Sequence, residues 1–512
     1  MRDGADEMKP GRGPDAPLTA LIVGAGFAGI GAGVELLERG IEDFLIVDKA
    51  GGIGGTWWWN TYPGVACDIP AHFYCFSFEP NPDWSRAYPP GEEIRQYIER
   101  TAERRGLIAH IRLNTKLERA AWDETRGLWR IQVGDGETLW ARHVISAAGG
   151  LHEPNQPEIE GASRFQGEQI HTARWREVEV EHKRVAVIGS AASAIQAAPA
   201  LARNGADVTI VQRTANYIAP RGDHAYSQRL KGLWRRMPWL MRAWRWFIYK
   251  RLDTIVFPIT RKDSRFGRFV GGRVLKGMAD TVEDPALRAA LTPDYDLGCK
   301  RVLVSDEFYP AIASGQVKLE QGAAARIEPD AVITDRGARI EADLIVYATG
   351  YDLEAHFRSM EIVGRGGVRL SEAWADAIEA LRGAAVAGFP NFWMITGPNT
   401  GVGTTSVVHM IETHLKYVMR LIEAAGDDAL EADPEAQARY NDQLQAGLAD
   451  TVWAAGGCAS WYKRDDGRIE TLYPGSARDF ERMLAASGPD EYRRLSASDA
   501  QAQPSRAASV AP

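Results

Sequence analysis

The stretch LTALIVGAGFAGIGAGVELLERGIEDFLIVD, residues 18–48, decides the fold. An apolar run leads into a glycine-rich turn, a helical pattern follows, and a second apolar run ends at Asp48. Gly24 permits a tight turn, Gly26 lets the backbone approach a pyrophosphate, and Gly29 lets the helix pack on the strand. The order predicts a dinucleotide-binding fold, with phosphates at the helix N-terminus and Asp48 accepting hydrogen bonds from ribose hydroxyls.

A second copy of this design occupies residues 184–214. RVAVI is its strand, GSAASA at 189–194 is its turn, and a helical pattern precedes another apolar run. The interval from the first turn residue to the glycine that closes the helix is 16 residues in both copies. The repeat predicts an α/β fold with two Rossmann-like dinucleotide-binding domains. Ala191 replaces the middle glycine and adds a methyl group near the pyrophosphate, so a purely structural second copy is the alternative.

The two copies differ where the second strand ends. The first copy ends in Asp48, whereas the second ends in Gln212, Arg213 and Thr214. A carboxylate repels a 2′-phosphate, and an arginine pairs with it. The first domain is therefore predicted to hold FAD and the second NADPH.

The rest of the chain is divided by two apolar segments, 144–151 and 344–352, that are typical of a strand followed by a crossover. The predicted organisation is a disordered tail at 1–16, a first FAD-binding part at 17–150, an NADPH-binding domain at 151–340 with a helical insertion at about 224–298, a second FAD-binding part at 341–497, and a disordered tail at 498–512.

Composition excludes several classes of protein. The 512 residues carry a net charge of −8, which argues against a nucleic-acid partner. The four cysteines, Cys67, Cys75, Cys299 and Cys458, form no CxxC pair, so neither a disulfide framework nor a zinc site is indicated, and a reducing cytoplasm fits best. No apolar run is long enough for a membrane-spanning helix. No metal ligand set is predicted.

Two motifs point to the chemistry. Residues 54–68, GGTWWWNTYPGVACD, and residues 165–175, FQGEQIHTARW, resemble fingerprints of the Baeyer–Villiger monooxygenases, flavin enzymes that turn ketones into esters or lactones. Arg176 departs from the second fingerprint, where the family usually carries Pro or Asp. Trp175 favours ketone oxidation, because the related N- and S-oxygenating flavoenzymes usually carry Tyr or Phe there.

The resemblance implies FAD and NADPH as cofactors and a small-molecule ketone and O2 as substrates. One oxygen atom would be inserted beside the carbonyl through a flavin peroxide. The alternative is an N- or S-oxygenating flavin monooxygenase. A pyridine-nucleotide disulfide oxidoreductase would need a redox cysteine pair near the flavin, and Cys67 and Cys75 have the wrong spacing for one. A nucleotide-sensing module without catalysis is the remaining alternative.

The resemblance also implies site residues. In the family, the pair Lys300 and Arg301 enters the active site, where Arg301 would hold negative charge and Asp68 would orient it. His171 and Trp175 would link the two domains, with His171 as a hinge rather than a base. The implied FAD-binding residues are Gly24, Gly26, Ala28, Gly29, Asp48, Gly55, Thr56, Trp57, Trp58, Trp59, Asp68, Tyr74, Leu117 and Val407. The implied NADP-binding residues are Ala66, Cys67, Asp68, Gly189, Ser190, Ala191, Ala192, Ser193, Ala194, Arg213, Thr214, Lys300, Arg301 and Trp461.

The resemblance extends over about residues 18–480 and includes GPNTGVGTTS at 397–406. The GANIPGK sequence of cyclohexanone-type members is missing after Ser460-Trp461-Tyr462, so the substrate of that branch is not implied.

The most unusual stretch is 229–251, where four tryptophans alternate with lysines and arginines. Such a segment can lie at a membrane surface. The favoured interpretation is a helical insertion whose aromatic side chains pack on the fold or line a substrate tunnel, because Pro238 interrupts the helical pattern.

Overall fold

The computed structural model describes residues 13–353, 355–460, 462–464 and 466–496. Most of the two predicted tails, 1–16 and 498–512, lies outside these residues. In chain order, the strands are β1 (Leu18–Val23), β2 (Phe44–Val47), β3 (Ile111–Arg112), β4 (Leu117–Asp123), β5 (Leu128–Val133), β6 (Glu137–Ser146), β7 (Glu168–His171), β8 (Arg184–Ile188), β9 (Asp207–Gln212), β10 (Ile218–Ala219), β11 (Leu303–Val304), β12 (Val317–Gln321), β13 (Ala324–Glu328), β14 (Ala331–Thr334), β15 (Arg339–Glu341), β16 (Leu344–Tyr347), β17 (Glu361–Val363), β18 (Phe392–Met394), β19 (Ala429–Ala432) and β20 (Tyr492–Leu495).

The helices connect these strands and cover their faces. They are α1 (Phe27–Glu38), α2 (Thr56–Trp59), α3 (Gly91–Arg104), α4 (Ala192–Arg203), α5 (Gln228–Arg236), α6 (Pro238–Lys250), α7 (Arg265–Thr281), α8 (Pro285–Ala290), α9 (Phe308–Ala313), α10 (Ala355–Arg358), α11 (Leu370–Ala373), α12 (Val407–Ala425), α13 (Pro434–Ala449), α14 (Val452–Ala455) and α15 (Ala477–Ala486). None of the helices in the described ranges combines the length and apolar character needed to cross a bilayer.

The larger sheet is built around β1. Its strand order is β17-β4-β5-β6-β1-β2-β3, and β18 also pairs with β6. β1 runs parallel to β2 and β6, so the carboxyl ends of these three strands meet at one edge. Most of β1 is buried, as expected for a parallel strand covered on both faces. β17 and β18 come from the C-terminal third of the chain, so this sheet is discontinuous in sequence.

The second sheet repeats the design with different strands. Its five strands are parallel, in the order β12-β9-β8-β16-β7. β8 lies between β9 and β16, as β1 lies between β2 and β6. Both predicted strand–turn–helix–strand units are confirmed.

Between β10 and β11 the chain is mainly helical and contains α5 to α8. Pro238 does interrupt the helical pattern, because α5 ends at Arg236 and Pro238 begins α6. Trp234 is buried, as the interpretation that the tryptophans of 229–251 pack on the fold predicts, whereas the other three are exposed. That they line a substrate tunnel stays a prediction. Trp239, Trp244 and Trp246 are exposed, because the buried side of α6 is taken by Met241 and Ile248.

The prediction that no disulfide is present is also wrong. Cys299 and Cys458 are bonded, with their Cα atoms 6.0 Å apart and 159 residues apart in sequence. A search for local CxxC spacing cannot detect such a pair, because the fold alone brings the two loops together. Cys67 and Cys75 are free and buried.

Candidate active site

The two glycine-rich turns have the same local geometry. Gly24 and Gly189 have φ angles of 113° and 110°, in the region that favours glycine. A Cβ atom on either residue would lie 2.5 Å from a carbonyl oxygen, that of Ala147 or that of Ala348. Each turn therefore requires glycine at its first position. It packs against the residue that follows a neighbouring parallel strand, β6 in the first unit and β16 in the second.

The middle position of each turn also adopts one conformation. Gly26 has φ −89° and ψ −165°, and Ala191 has φ −89° and ψ −162°. This extended conformation is open to any residue, so Ala191 leaves the backbone of the second turn unchanged. The residues that precede α1 and α4, Gly26 and Ala191, form no side-chain cap hydrogen bond. Their first N–H groups are thus directed at the turns, where they suit phosphate oxygens.

A second glycine-rich loop completes the first turn. A Cβ atom on Gly26 would lie 3.2 Å from the Cα atom of Gly55, and the Gly54 amide donates to the Ala25 carbonyl at 3.1 Å. The Asp48 carboxylate accepts hydrogen bonds from the amides of Ala25 and Ala50, at 2.7 and 2.8 Å. The close backbone contact and the uncapped helix fit a dinucleotide such as FAD, and Asp48 also braces the turn.

The other residues implied for FAD spread out from this loop. Thr56 and the three tryptophans form α2, in which Trp57 packs edge-on against Tyr74 with ring centroids 5.7 Å apart. Trp59 stacks under the Arg174 guanidinium at 4.5 Å. Leu117 begins β4, and Val407 begins α12.

Gln196, which the sequence analysis did not single out, links the fingerprint loop at 54–68 to helix α4 of the second turn. Its side-chain oxygen accepts from the Tyr62 hydroxyl at 3.0 Å, and its amide donates to the Ala66 carbonyl at 3.0 Å. Gln196 lies on α4, whereas Tyr62 and Ala66 belong to the fingerprint loop that follows α2. A Cβ atom on Gly64 would lie 2.6 Å from the Gln196 carbonyl oxygen. The fingerprint loop is therefore seated directly on the helix of the second turn.

Arg301 and Asp68 form an ion pair that joins the end of the fingerprint loop to the segment before β11. The Nε atom of Arg301 donates to one Asp68 oxygen at 2.8 Å, and Nη2 lies 2.7 Å from the same oxygen. The charge of Asp68 raises the pKa of Arg301, so the guanidinium stays positive at every relevant pH. The Arg301 side chain is 40% exposed, so it can still meet another anion. The structure thus brings together the two residues implied as catalytic.

Two residues beside this pair are buried. Burial raises the pKa of the Cys67 thiol, so this thiol is neutral and unreactive. Tyr462 is buried, and the charge of Arg301 opposes the rise in its pKa that burial causes. Tyr462 was missed as a site residue, although it follows Trp461 in the sequence. Trp461 itself lies outside the described residues.

Arg213 and Lys300 form a pair of neighbouring cations. Burial lowers the pKa of Lys300, and the charge of Arg213 lowers it further. The Lys300 ammonium lies 4.8 Å above the Tyr295 ring. Within the described ranges, no carboxylate forms an ion pair with either cation. Thr214 is fixed by its backbone, because its carbonyl accepts a hydrogen bond from the Ser190 hydroxyl at 3.1 Å. The charge of Asp294 opposes the lowering of the Lys300 pKa but forms no ion pair with it, so the two close cations still suit a phosphate.

His171 is placed as a neutral hydrogen-bonding residue. Its Nδ1 atom accepts from the Ala173 amide at 3.0 Å, so Nε2 carries the proton and faces the Thr349 hydroxyl at 3.3 Å. Burial and the nearby charge of Arg174 lower its pKa to about 4. Trp175 is partly buried against the core of the second sheet. His171 thus joins the end of β7 to the segment after β16, two residues beyond Tyr347.

Comparison with known proteins identifies relatives along nearly the whole chain. A family model described as pyridine nucleotide-disulphide oxidoreductase matches residues 21–237. A Baeyer–Villiger monooxygenase of Streptomyces coelicolor is 39% identical, over 94% of this chain and 93% of its own length. An FAD-binding monooxygenase of Aspergillus niger is 33% identical, over 91% and 80%. The solved structure of an oxidized steroid monooxygenase bound to NADP superposes with a TM-score of 0.83 at 28% identity, over 94% of this chain and 100% of that one.

Proposed function

The chain belongs to the Baeyer–Villiger monooxygenases, and from that membership we propose how its residues divide the work. The enzyme is an FAD-dependent, NADPH-consuming monooxygenase with two dinucleotide-binding domains. Its overall reaction converts a ketone, O2, NADPH and a proton into an ester or lactone, NADP+ and water. The redox chemistry with NADPH and O2 is supplied by FAD when it is bound.

The proposal rests on one observation, the partly exposed Arg301 paired with Asp68, the last residue of the fingerprint loop that is seated on α4. Oxygen insertion beside a carbonyl places negative charge on the carbonyl oxygen. Arg301 stabilises this charge through charge-assisted hydrogen bonds from a preorganised donor. Asp68 is the positioning residue, because it holds the Nε edge of the guanidinium and leaves Nη1 for the reacting atoms.

The remaining site residues bind the cofactors. For FAD these are Gly24, Gly26, Ala28, Gly29, Asp48, Gly55 to Trp59, Asp68, Tyr74, Leu117 and Val407. For NADPH these are Ala66, Cys67, Asp68, the turn at 189–194, Arg213, Thr214, Lys300, Arg301 and Trp461. His171 and Trp175 act as the link between domains. β16 (Leu344–Tyr347) pairs within the second sheet, so the boundary expected at 340 lies too early. We assign 17–150 with 348–497 to FAD and 151–347 to NADPH.

The cytoplasmic location stays a prediction. Disulfides are rare in the reducing cytoplasm, and Cys299 is bonded to Cys458.

Arg213→Ala is expected to weaken NADPH selectively. A charged hydrogen bond is worth roughly 1.5–3 kcal/mol, so the KM for NADPH should rise by about tenfold or more, while that for NADH stays nearly constant. Steady-state kinetics with both nucleotides measures this.

The matched control is Arg203→Ala, because Arg203 is an exposed arginine on α4 that already pairs with Glu307 at 2.8 Å. It should leave both KM values unchanged. Equal use of NADPH and NADH by the unaltered enzyme would contradict the assignment of Arg213.

Product analysis tests the proposed function itself. The holoenzyme is supplied with NADPH and O2 and with cyclic, linear, aryl and steroid ketones and a thioether. We expect esters or lactones from at least one ketone class, with matching NADPH consumption. If only the thioether is oxygenated, the enzyme acts on heteroatoms and the proposal fails.

A further inference from the structure

The helical segment between β10 and β11 concentrates positive charge. Residues 228–276 contain 14 lysines and arginines and only two acidic residues, Asp253 and Asp263, in a chain whose net charge is −8. Asp253 is buried and accepts a hydrogen bond from the Arg478 amide at 3.2 Å. A charge of +12 in this segment leaves −20 for the rest of the chain. This segment is therefore strongly cationic within an acidic protein.

The same segment carries most of the exposed apolar side chains. Eight of the twelve large hydrophobic residues that are exposed in the described chain lie between positions 233 and 269. They are Leu233, Trp239, Trp244, Trp246, Phe247, Ile255, Phe266 and Phe269. Scattered single exposures are ordinary, but a concentration of this kind marks an interaction surface.

Five residues of α6 lie on one face of the helix. Trp239, Arg242, Ala243, Trp246 and Lys250 recur at spacings of three and four residues, and all but the partly buried Lys250 are exposed. Trp239 is 59% exposed and Trp246 60%. Phe247 lies beside this face and stacks on Trp244 with ring centroids 5.4 Å apart. The face thus combines aromatic rings and cations.

The opposite face of α6 is firmly held. Arg245 donates to the Cys75 carbonyl at 2.7 Å and pairs with Glu412 at 3.2 Å. Met241 and Ile248 are buried beside it. In α5, Trp234 packs edge-on against the buried His72, with ring centroids 4.1 Å apart. The exposed aromatic rings therefore stand on a fixed support, and a loosely packed helix does not account for their exposure.

The cations on this surface are available for a new partner. Arg235 is neutralised by Asp83. By contrast, Arg236, Arg242 and Arg251 are exposed, and no carboxylate forms an ion pair with them within the described ranges. An anionic partner would complement them, and an apolar one would complement Trp239 and Trp246.

We propose that the exposed face of α6, with its flanking cations, docks the enzyme onto an anionic lipid bilayer. Tryptophan rings occupy the headgroup level of a bilayer, and phenylalanine and isoleucine enter the acyl boundary. Arginine and lysine are drawn to anionic headgroups. The exposed aliphatic side chains of Leu233 and Ile255 favour a bilayer over nucleic acid, which offers stacking and phosphates but no apolar layer. The contact is peripheral and leaves the catalytic residues untouched.

Vesicle sedimentation tests the proposal on the FAD-loaded enzyme, which is followed by its flavin absorbance. Phosphatidylcholine vesicles with and without phosphatidylglycerol are compared at low and high ionic strength. We expect binding to the anionic vesicles only, weakened by salt. Trp239→Ser with Trp246→Ser should reduce the partition coefficient by about tenfold or more. Arg242→Glu with Arg251→Glu should have an effect of similar size.

The matched control is Ile108→Ser, because Ile108 is 51% exposed but lies outside the insertion. It should bind vesicles like the unaltered enzyme, and all variants should keep flavin and ketone oxidation in solution. The proposal is overturned by equal binding to neutral vesicles, by unchanged binding of the double variants, or by no binding. Self-association or nucleic-acid binding that the double variants abolish, without vesicle binding, would assign the surface to that partner instead.

Discussion

Gly26→Asp is expected to yield protein without yellow colour. Gly26 lies where the first turn approaches the second glycine-rich loop, and a Cβ atom there would be 3.2 Å from the Cα atom of Gly55. Aspartate adds bulk at this contact and a negative charge beside the predicted pyrophosphate, where the uncapped start of α1 favours an anion. The ratio of flavin to protein absorbance should fall to near zero, and circular dichroism would report whether the fold persists.

The internal repeat supplies the control for this variant. Ala191 occupies the equivalent position of the second turn, with the same backbone conformation. Ala191→Asp should therefore keep FAD and the yellow colour but prevent reduction by NADPH, while dithionite still bleaches the flavin. Full flavin occupancy in Gly26→Asp would contradict the assignment of FAD to the first domain. Loss of flavin in Ala191→Asp would contradict the division of cofactors between the two turns.

The parts of the structure that the sequence predicted are those set by local chemistry. β1, its turn and α1 follow from an apolar run and from Gly24, whose positive φ few other residues tolerate. The second unit was predicted for the same reason, and the repeat made it recognisable. The proximity of Asp68 and Arg301, 233 residues apart, came from resemblance to a family and not from the pattern of residues.

The features that were not predicted depend on contacts between segments that are distant in sequence. Gln196 looks like an ordinary helix residue until the fold places Tyr62 and Ala66 on it. Cys299 and Cys458 are unrelated in sequence and adjacent in space. The orientation of α6 depends on Arg245 reaching Glu412, a contact between distant segments that no periodicity reveals. Local sequence patterns therefore identified the two cofactor-binding turns. The exposed face of α6, the disulfide and the contact of Gln196 with the fingerprint loop depend on tertiary contacts and were not predicted.

Arg301→Ala is expected to abolish productive oxygenation while leaving the flavin in place. The two glycine-rich turns do not involve this side chain, so FAD should still bind. NADPH should still reduce the flavin, at a raised KM because Arg301 is also assigned to NADPH binding. Ketone conversion should fall by roughly a hundredfold or more, the usual cost of removing a donor that stabilises developing negative charge. Consumption of NADPH should continue with release of hydrogen peroxide. Measuring ester, NADPH and hydrogen peroxide in one reaction separates loss of oxygenation from loss of reduction.

Two neighbouring variants distinguish a positioned guanidinium from general positive charge. Arg301→Lys keeps the charge but loses the planar guanidinium that contacts Asp68 through Nε and Nη2, so it should remain uncoupled. Lys300→Ala removes the adjacent cation near Arg213, so it should raise the KM for NADPH and leave the ester-to-peroxide ratio unchanged. If Arg301→Ala makes ester at near-normal rate, Arg301 is not the catalytic cation. If Arg301→Lys is fully active, positive charge alone is sufficient for oxygenation and the proposed orienting role of Asp68 is wrong.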